Sequence, residues 1–304
     1  MRIVSLLPSA TEIVYALGLQ EQLEGVTDEC DFPPGARTKP VVSRSALPTS
    51  GRLSPGETDD AVRARMDART PLYELDRPLI QRIQPDVILA QDLCRVCAVP
   101  SGDVKEALAD LGVDARVLSL DPTTLDEVIG CLEAAGKLLG AEERSDELAR
   151  TLRQRVERIR RSALRLPSIR VLALEWTDPP FVGGHWIPEM IEAAGGTPLL
   201  SEKGQPSRRV GWTDVATATP EVIVVMPCGY YLDEAEDAAL ELLQNPDFAE
   251  TPAAREGSVF AVDASSFFSR PGPRIVDGLD ILAWAIHPEA FPEPPSDAIF
   301  RIES

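Results

Sequence analysis

Residues 140–166 are GAEERSDELARTLRQRVERIRRSALRL. After Gly140 this stretch has no further glycine and no proline, and Pro167 follows it directly. Its apolar side chains recur at intervals of four, four, three and four residues, which places them on one face of an α-helix. The pattern predicts one long helix, roughly 36 Å long at about 1.5 Å per residue. The apolar residues are Leu148, Leu152, Val156, Ile159 and Ala163.

Short apolar strands alternate with helices on both sides of this helix, which is typical of an α/β fold. Strands are expected at residues 3–6, 26, 41–42, 86–90, 115–118, 170–174, 221–226 and 258–262. Further helices are expected at residues 104–111, 125–139, 188–194, 234–243 and 274–286. We therefore predict an N-terminal α/β lobe at residues 1–139, a linking helix at 140–166 and a C-terminal α/β lobe at 167–304. The alternative is a surface helix inside one large domain.

Two segments of the first lobe carry distinct local signals. Ser9 is followed by Glu12 at the spacing of a capping box, which predicts a helix that starts at Ser9 and is closed by Gly18. Prolines and glycines divide residues 43–78 into turns, with one short helix expected at residues 58–68.

The composition is that of a folded globular protein, because the 304 residues are 44% hydrophobic and 26% charged. The 30 Lys and Arg residues stand against 49 Asp and Glu residues, and the net charge of −19 repels nucleic acids and anionic lipids. No apolar run approaches the ~20 residues that span a bilayer, and no signal peptide is recognised. We expect no nucleic-acid partner, no direct membrane insertion and a cytoplasmic location, or a periplasmic or extracellular one if a leader has been removed.

Histidine is too scarce for most catalytic and metal sites, because His185 and His287 are the only two. A Ser-His-Asp triad or a histidine-rich metal centre would need more of them. We therefore expect a binding protein and not an enzyme. His185 follows a glycine turn that leads into a helix, where its side chain can point into a cleft or form a local hydrogen bond. His287 is interpreted as a cation at a helix end.

Cys94 and Cys97 form a closely spaced pair just after a predicted strand. Loops in this position contact ligands in α/β folds. Two thiols at this spacing can form a redox pair or half of a soft-metal site, with Cys30, Cys228 and His185 as further candidate ligands. The alternative is that they are small buried side chains.

Most aromatic side chains lie in loops that follow strands and are rich in proline and glycine. A role in the core would place them inside the strands instead. Large flat side chains on such loops suit a large, flat, partly apolar ligand. The residues are Phe32, Trp176, Phe181, Trp186, Trp212, Tyr230, Tyr231, Phe267 and Phe268.

Several motifs occur in an order that resembles one family. They are LLPSATE at residues 6–12, DFPP at 31–34, PDVIL at 85–89, PPFVGG at 179–184, AGG at 194–196 and FFSRPGPR at 267–274. Together they resemble the cobalamin-binding proteins of the BtuF type, which are ABC-transporter substrate-binding proteins.

This resemblance implies an α/β fold with two Rossmann-like lobes, joined by one long rigid α-helix, and a ligand cleft between the lobes. It implies a protein that binds a corrinoid, cobalamin or a relative of it, for uptake, delivery or buffering, without catalysis. By position in the motifs, the ligand-binding residues would be Asp31, Phe32, Gln91, Phe181, Gly184 and either Phe267 or Phe268.

Three further residues are candidates for the same site. Arg44 stands in a segment that, together with Gln91, replaces tryptophans of the family. Trp186 follows the glycine turn, and His185 beside it is a candidate cobalt ligand. The resemblance also implies an ABC-transporter permease as partner, although Ser269 replaces the acidic docking residue of the second lobe.

Two other functions are kept as alternatives. The same cleft could bind another metal chelate, haem or an iron siderophore, and a negatively charged siderophore would need basic residues. A thiol-dependent enzyme or metal-thiolate protein would instead depend on Cys94 and Cys97. The basic candidates are Arg44, Arg208, Arg209, Arg270 and Arg274.

Overall fold

A computed structural model describes residues 1–47, 53–93, 99 and 101–302. The chain divides into two compact units, which we call the N-terminal lobe and the C-terminal lobe. The N-terminal lobe comprises Met1–Pro122 and Ile129–Ala149, and the C-terminal lobe comprises Thr123–Val128 and Arg150–Ser304.

The first half of the chain alternates strands and helices. Its strands are β1 (Ile3–Ser5), β2 (Leu23–Thr27), β3 (Val41–Ser45), β4 (Tyr73–Leu75), β5 (Val87–Ala90) and β6 (Arg116–Ser119). Its helices are α1 (Pro8–Ala16), α2 (Pro55–Asp67), α3 (Arg77–Ile83), α4 (Ser101–Leu111), α5 (Leu125–Leu139) and α6 (Glu142–Ala163).

The sheet of the N-terminal lobe has the strand order β4-β3-β2-β1-β5-β6, and its neighbouring strands are parallel except β3 with β4. One face packs on α3 and α4 in a core that includes Val4, Ile80, Ile88 and Val104. Because the parallel strands end at the same edge, the loops after β1, β2 and β5 leave the sheet on one side.

The first helix starts earlier than its sequence signal indicates. α1 begins at Pro8, and its N-cap residue Leu7 forms no side-chain capping bond, so the predicted capping box of Ser9 and Glu12 is wrong. Proline favours the first helical position because its ring fixes φ near the helical value. The predicted end is confirmed, since Gly18 follows the helix at φ +73°, a conformation that glycine adopts without strain.

The proline-rich segment at residues 43–78 contains more structure than predicted. Its helix α2 is confirmed, and Ser54 and Glu57 form a capping box at its start. The strand β4, which was not predicted, pairs antiparallel with β3 and places Glu74 opposite Arg44. None of the three residues of β4 is buried and its middle residue is charged, so it lacks the apolar run that marks β1, which is equally short.

The long helix is confirmed as α6. Leu152, Val156, Ile159 and Ala163 are buried, whereas Leu148 is half-buried. The division between the lobes falls inside α5 as well as α6, so both helices contribute residues to each lobe.

The second half of the chain returns to short strands and helices. Its strands are β7 (Ile169–Thr177), β8 (Pro180–Val182), β9 (Gly196–Pro198), β10 (Arg208–Arg209), β11 (Val222–Val225), β12 (Val259–Val262) and β13 (Ile299–Ile302). Its helices are α7 (Ile187–Ala193), α8 (Trp212–Ala218), α9 (Leu232–Leu242), α10 (Pro246–Ala249), α11 (Pro252–Arg255), α12 (Ala264–Phe267) and α13 (Ile275–Ile286).

The sheet of the C-terminal lobe has the order β10-β8-β7-β11-β12-β13, and β9 also pairs with β7. The central strands β7, β11 and β12 are parallel, whereas β8, β10 and β13 run antiparallel to their neighbours. One face carries a core that includes Leu172, Leu174, Ile223, Val225 and Phe248. Both lobes are therefore α/β, as predicted. None of the described helices is long and apolar enough to span a membrane.

Candidate functional site

The segment after β2 carries the predicted ligand residues Asp31 and Phe32. The Asp31 carboxylate is mostly buried and lies 3.6 Å from the guanidinium of Arg37. Phe32 is instead 40% exposed. Of the two residues, Phe32 presents an apolar surface to solvent, while Asp31 takes part in an ion pair.

Cys30 lies in a buried cluster of hydroxyl groups next to this segment. Its Sγ atom is 3.1 Å from Thr11 Oγ1 and 3.2 Å from Thr27 Oγ1. Thr11 Oγ1 is in turn 2.9 Å from Ser5 Oγ. A buried thiol with hydroxyl partners acts as a packing group. Among the residues that the structure describes, no group of three or more His, Cys, Asp or Glu side chains could hold a metal ion.

The other two N-terminal candidates differ in exposure. Arg44 is exposed on β3. Gln91 directly follows β5 and is buried. Their predicted contacts with a ligand stay predictions, but only Arg44 presents its side chain to solvent.

Asp92 is a residue that the sequence analysis missed, and it fixes the start of α4. Its carboxylate accepts the backbone N–H of Ser101 at 2.7 Å and the hydroxyl of Ser119 at 3.1 Å. Hydrogen bonds from the Ser101 side chain and backbone lower the pKa of Asp92. Cys94 and Cys97 lie outside the described residues, so the predicted thiol site stays a prediction.

A glycine turn joins β8 to α7 in the C-terminal lobe. Gly184 has no room for a side chain, because an added Cβ would lie 2.2 Å from the backbone nitrogen of Ser207. His185 follows at φ +53°, which is uncommon for a residue other than glycine. Its N–H donates to the oxygen of Gln205 at 2.6 Å, and its carbonyl accepts the N–H of Gly204 at 2.9 Å. These two backbone bonds hold His185 in place.

The imidazole of His185 is half-buried, and burial lowers its pKa from the ordinary value of 6.5. The ring is therefore mostly neutral at pH 7, which is the form that binds metals. Its side chain forms no hydrogen bond with another described residue, so the alternative of a local bond at the start of α7 is not found within that part of the chain. Cobalt coordination by His185 stays a prediction.

Glu175 on β7 is a second residue that the sequence analysis missed. Its carboxylate accepts the hydroxyl of Ser207 at 2.7 Å and, more weakly, the N–H of Gly184 at 3.3 Å. Burial raises the pKa of Glu175 in spite of these bonds. The available signal was a single carboxylate directly after the apolar run at residues 171–174 of β7.

Aromatic residues gather where β7 and β11 end. The ring centroids of Trp176 and Tyr230 are 5.5 Å apart in an edge-to-face arrangement. Tyr231 is 38% exposed, and its hydroxyl lies 3.4 Å from a guanidinium nitrogen of Arg270. This edge therefore combines aromatic surface with a cation.

The two phenylalanines offered by the last motif have different environments. Phe267 is half-buried, and the guanidinium carbon of Arg274 lies 5.7 Å from its ring centroid. Phe268 is buried, and its backbone oxygen accepts the indole N–H of Trp186 at 3.0 Å. Trp186 is also buried, whereas Phe181 on β8 is half-buried. Phe267 and Phe181 are thus partly accessible to solvent.

The family described as periplasmic binding protein matches residues 3–265. The chain belongs to this periplasmic binding protein family. The match covers both sheets up to the end of β12. It stops just before Phe267, so the segment with Arg270 and Arg274 lies beyond it.

Individual relatives agree with this assignment. A vitamin B12-binding protein of Vibrio cholerae is 24% identical over 286 residues, which is 92% of this chain and 86% of that protein. The ABC-transporter substrate-binding lipoprotein YvrC of Bacillus subtilis is 24% identical over 298 residues, or 96% of this chain and 82% of that protein.

Solved structures of proteins named for different ligands show the same fold. The vitamin B12-binding protein BtuF of Vibrio cholerae has a TM-score of 0.68 at 24% identity, covering 94% of this chain and 96% of that one. A periplasmic haem-binding protein of Pseudomonas aeruginosa has a TM-score of 0.72 at 24% identity, covering 100% of this chain and 98% of that one. This periplasmic binding protein therefore has the two-lobe α/β fold of its family, which confirms the predicted fold class.

Proposed function

We propose that this periplasmic binding protein binds a corrinoid, cobalamin or a relative of it, for uptake, delivery or buffering, without catalysis. The observation that carries the proposal is that each lobe has solvent-accessible aromatic residues at its strand ends: Phe32 after β2 in the N-terminal lobe, and Tyr231 after β11 and Phe267 after β12 in the C-terminal lobe. Flat rings in such positions suit a flat macrocycle. The relatives named as vitamin B12-binding proteins support a corrin as that macrocycle.

We further propose that His185 coordinates the cobalt of the bound corrinoid. Its imidazole is mostly neutral at pH 7, and its backbone is fixed by hydrogen bonds to Gly204 and Gln205. A neutral, pre-positioned imidazole can replace a solvent ligand on the metal. The absorption spectrum of the bound corrinoid reports such an exchange.

Haem is the second candidate ligand, and two arginines favour it. Arg270 lies beside Tyr231, and Arg274 lies over Phe267, so guanidinium groups border the proposed aromatic surface. Haem carries carboxylates that arginine binds well. An anionic siderophore would use the same two residues.

A titration distinguishes these ligands. Purified, reduced protein is titrated with aquocobalamin, cobinamide and haem while absorbance and tryptophan fluorescence are recorded. Saturable binding of either corrinoid, tighter than haem, is the expected result. Binding of haem alone would overturn the corrinoid proposal in favour of the second candidate, and binding of none of the three at micromolar concentration would overturn both.

Variants test the proposed contacts. Phe32→Ala and Phe267→Ala should each weaken corrinoid binding, and His185→Ala should change the spectrum of the bound corrinoid. Phe300→Ala is the matched control, because Phe300 is a similarly exposed phenylalanine on β13. Equal effects of all three phenylalanine variants would contradict the assignment, and an unchanged spectrum in His185→Ala would exclude cobalt coordination by that residue.

We infer from family membership that an ABC-transporter permease is the partner, with Ser269 at the docking position of the C-terminal lobe. The location is tested by fractionating cells that express the full-length protein. Recovery in the envelope would support a role in uptake, and recovery in the cytoplasm would support delivery or buffering. If the protein worked instead through Cys94 and Cys97, replacing both with serine would abolish its activity and leave corrinoid binding intact.

A further inference from the structure

The segment at residues 203–207 forms hydrogen bonds or ion pairs at both of its ends and in its middle. It lies between β9 and β10 and carries few apolar side chains. A surface loop of this composition ordinarily packs weakly on the rest of the protein and is mobile. Here it is fixed through charged and polar contacts to residues on β7, on α7 and in the glycine turn, all within the C-terminal lobe.

Glu175 anchors the C-terminal end of this segment. Its Oε2 atom accepts the Ser207 hydroxyl at 2.7 Å and the Gly184 N–H at 3.3 Å. One carboxylate oxygen thus binds both the segment and the glycine turn opposite it. The close approach of the two backbones requires a glycine, because a Cβ on Gly184 would meet Ser207 and Pro206 within 2.5 Å.

Glu189 of α7 anchors the N-terminal end. Its Oε1 atom lies 2.7 Å from Lys203 Nζ and 3.7 Å from a guanidinium nitrogen of Arg160. Its Oε2 atom accepts the backbone N–H of Leu125 at 2.9 Å. Glu189 is only 7% exposed, so its carboxylate is a nearly buried charge with two cations and one N–H donor around it.

The middle of the segment holds His185. Gly204 donates its N–H to the His185 carbonyl, and Gln205 accepts the His185 N–H. The φ of +53° at His185 is unfavourable for a side-chain-bearing residue, so the surrounding bonds must maintain it. Displacing the segment at either end would release this conformation.

We propose that Glu175 and Glu189 are positioning residues that hold the two ends of the segment at residues 203–207 and thereby fix His185 for the ligand. The ligand part of this inference rests on the proposed function. Neither carboxylate is assigned a contact with the ligand, since both act through the segment.

The first experiment uses the ligand-free protein and measures amide hydrogen exchange. Glu175→Ala and Glu189→Ala are each expected to lose protection at the amides of His185 and Gly204, which donate the two backbone bonds. Glu175→Gln should retain protection, because its amide oxygen can still accept both bonds. Glu192→Gln is the matched control, since Glu192 is exposed on the same helix as Glu189. Unchanged protection in both alanine variants would overturn the proposal.

The second experiment titrates the same variants with aquocobalamin. Both alanine variants should bind aquocobalamin about tenfold or more weakly than the wild type. Losses of this size are usual when a residue that orients a metal ligand is removed. Both alanine variants should also show a bound spectrum shifted towards that of His185→Ala, whereas Glu175→Gln should behave like the wild type. Loss of protection with unchanged affinity and spectrum would overturn the positioning role. If the wild type itself does not bind aquocobalamin, the proposed function fails, and the exchange result alone decides whether the two glutamates hold the segment.

Discussion

The indole N–H of Trp186 donates a hydrogen bond to the backbone oxygen of Phe268 at 3.0 Å. Trp186 is 6% exposed and Phe268 is 2% exposed, so the bond is formed away from solvent. It links the residue before α7 to the segment before α13, and these two helices pack on each other. Trp186 and Phe268, which the sequence predicts to contact the ligand, therefore form a buried hydrogen bond that stabilises the packing of α7 on α13.

Trp186→Phe should lower the free energy of unfolding by about 2 kcal/mol, because it leaves a buried carbonyl without its donor. Urea unfolding measures this difference. Trp176→Phe is the control, since Trp176 also donates its indole N–H to a backbone oxygen, at 3.0 Å, but from a more exposed position. A loss for Trp176→Phe as large as that for Trp186→Phe would contradict the role of burial.

Gly184→Ala should destabilise the protein by about 1–3 kcal/mol, because the new methyl group meets backbone atoms of Ser207 and Pro206 that cannot move independently. Gly130→Ala is the opposite case. Gly130 lies inside α5, and an added Cβ there meets nothing within 4 Å, so alanine should stabilise that helix by up to about 1 kcal/mol. Thermal unfolding of both variants checks the pair, and a stabilising Gly184→Ala would refute the close contact.

Arg155 joins α6 to α13 through two ion pairs, at 2.7 Å to Asp277 and 2.6 Å to Asp280. Arg155→Met retains the apolar part of the side chain and should cost about 1–2 kcal/mol, between the values of exposed and buried ion pairs. Arg161→Met removes an exposed pair with Glu157 on the same helix and should cost less than about 0.5 kcal/mol. Denaturant unfolding at low salt compares the two variants. Equal losses in the free energy of unfolding would show that the two ion pairs of Arg155 stabilise the protein no more than the exposed pair of Arg161.

Glu175 and Glu127 should give opposite pH dependences. Burial raises the folded-state pKa of Glu175 above its ordinary value of 4.5, so the contribution of Glu175 to wild-type stability falls as the pH rises from about 4. Glu175→Gln removes this penalty, and its advantage in melting temperature should be largest near neutral pH and vanish in acid. Backbone and hydroxyl hydrogen bonds from Thr123 lower the pKa of Glu127, so Glu127→Gln should destabilise at neutral pH, with a difference that shrinks as the pH falls.

Melting temperatures of the wild type and both variants test these opposite pH dependences. They are measured from about pH 3.5 to about pH 7.5, a range that includes the ordinary pKa of a carboxyl group. Parallel curves for the wild type and Glu175→Gln would show that the carboxyl has the same pKa in the folded and unfolded states.

The helices with long amphipathic patterns were predictable from sequence. α5 occupies Leu125–Leu139 as expected, and α6 lies inside the predicted residues 140–166. Their signal is local, because it depends only on the spacing of apolar side chains along one helix. The strands β8 and β10 were missed, since they have three and two residues and exist through pairing with β7 and with each other.

The residues of the candidate site were likewise predictable only in part. The sequence selected Phe32 and either Phe267 or Phe268, and in the structure Phe32 is 40% exposed, Phe267 is half-buried and Phe268 is buried. It did not select Glu175 or Glu189, whose partners lie 32 and 64 residues away at Ser207 and Leu125. A lone carboxylate carries no sequence mark of the hydroxyl or N–H that it will accept.

By itself the sequence determined the α/β alternation, the long helix and the family, because periodicity and ordered motifs are properties of the chain read in one direction. The tertiary structure alone decided that Gly184 packs against Ser207, that His185 adopts φ +53° and that Glu189 meets Lys203 and Leu125. Hydrogen bonds and ion pairs act over about 3–4 Å, so they depend on which distant segments the folded sheet brings together.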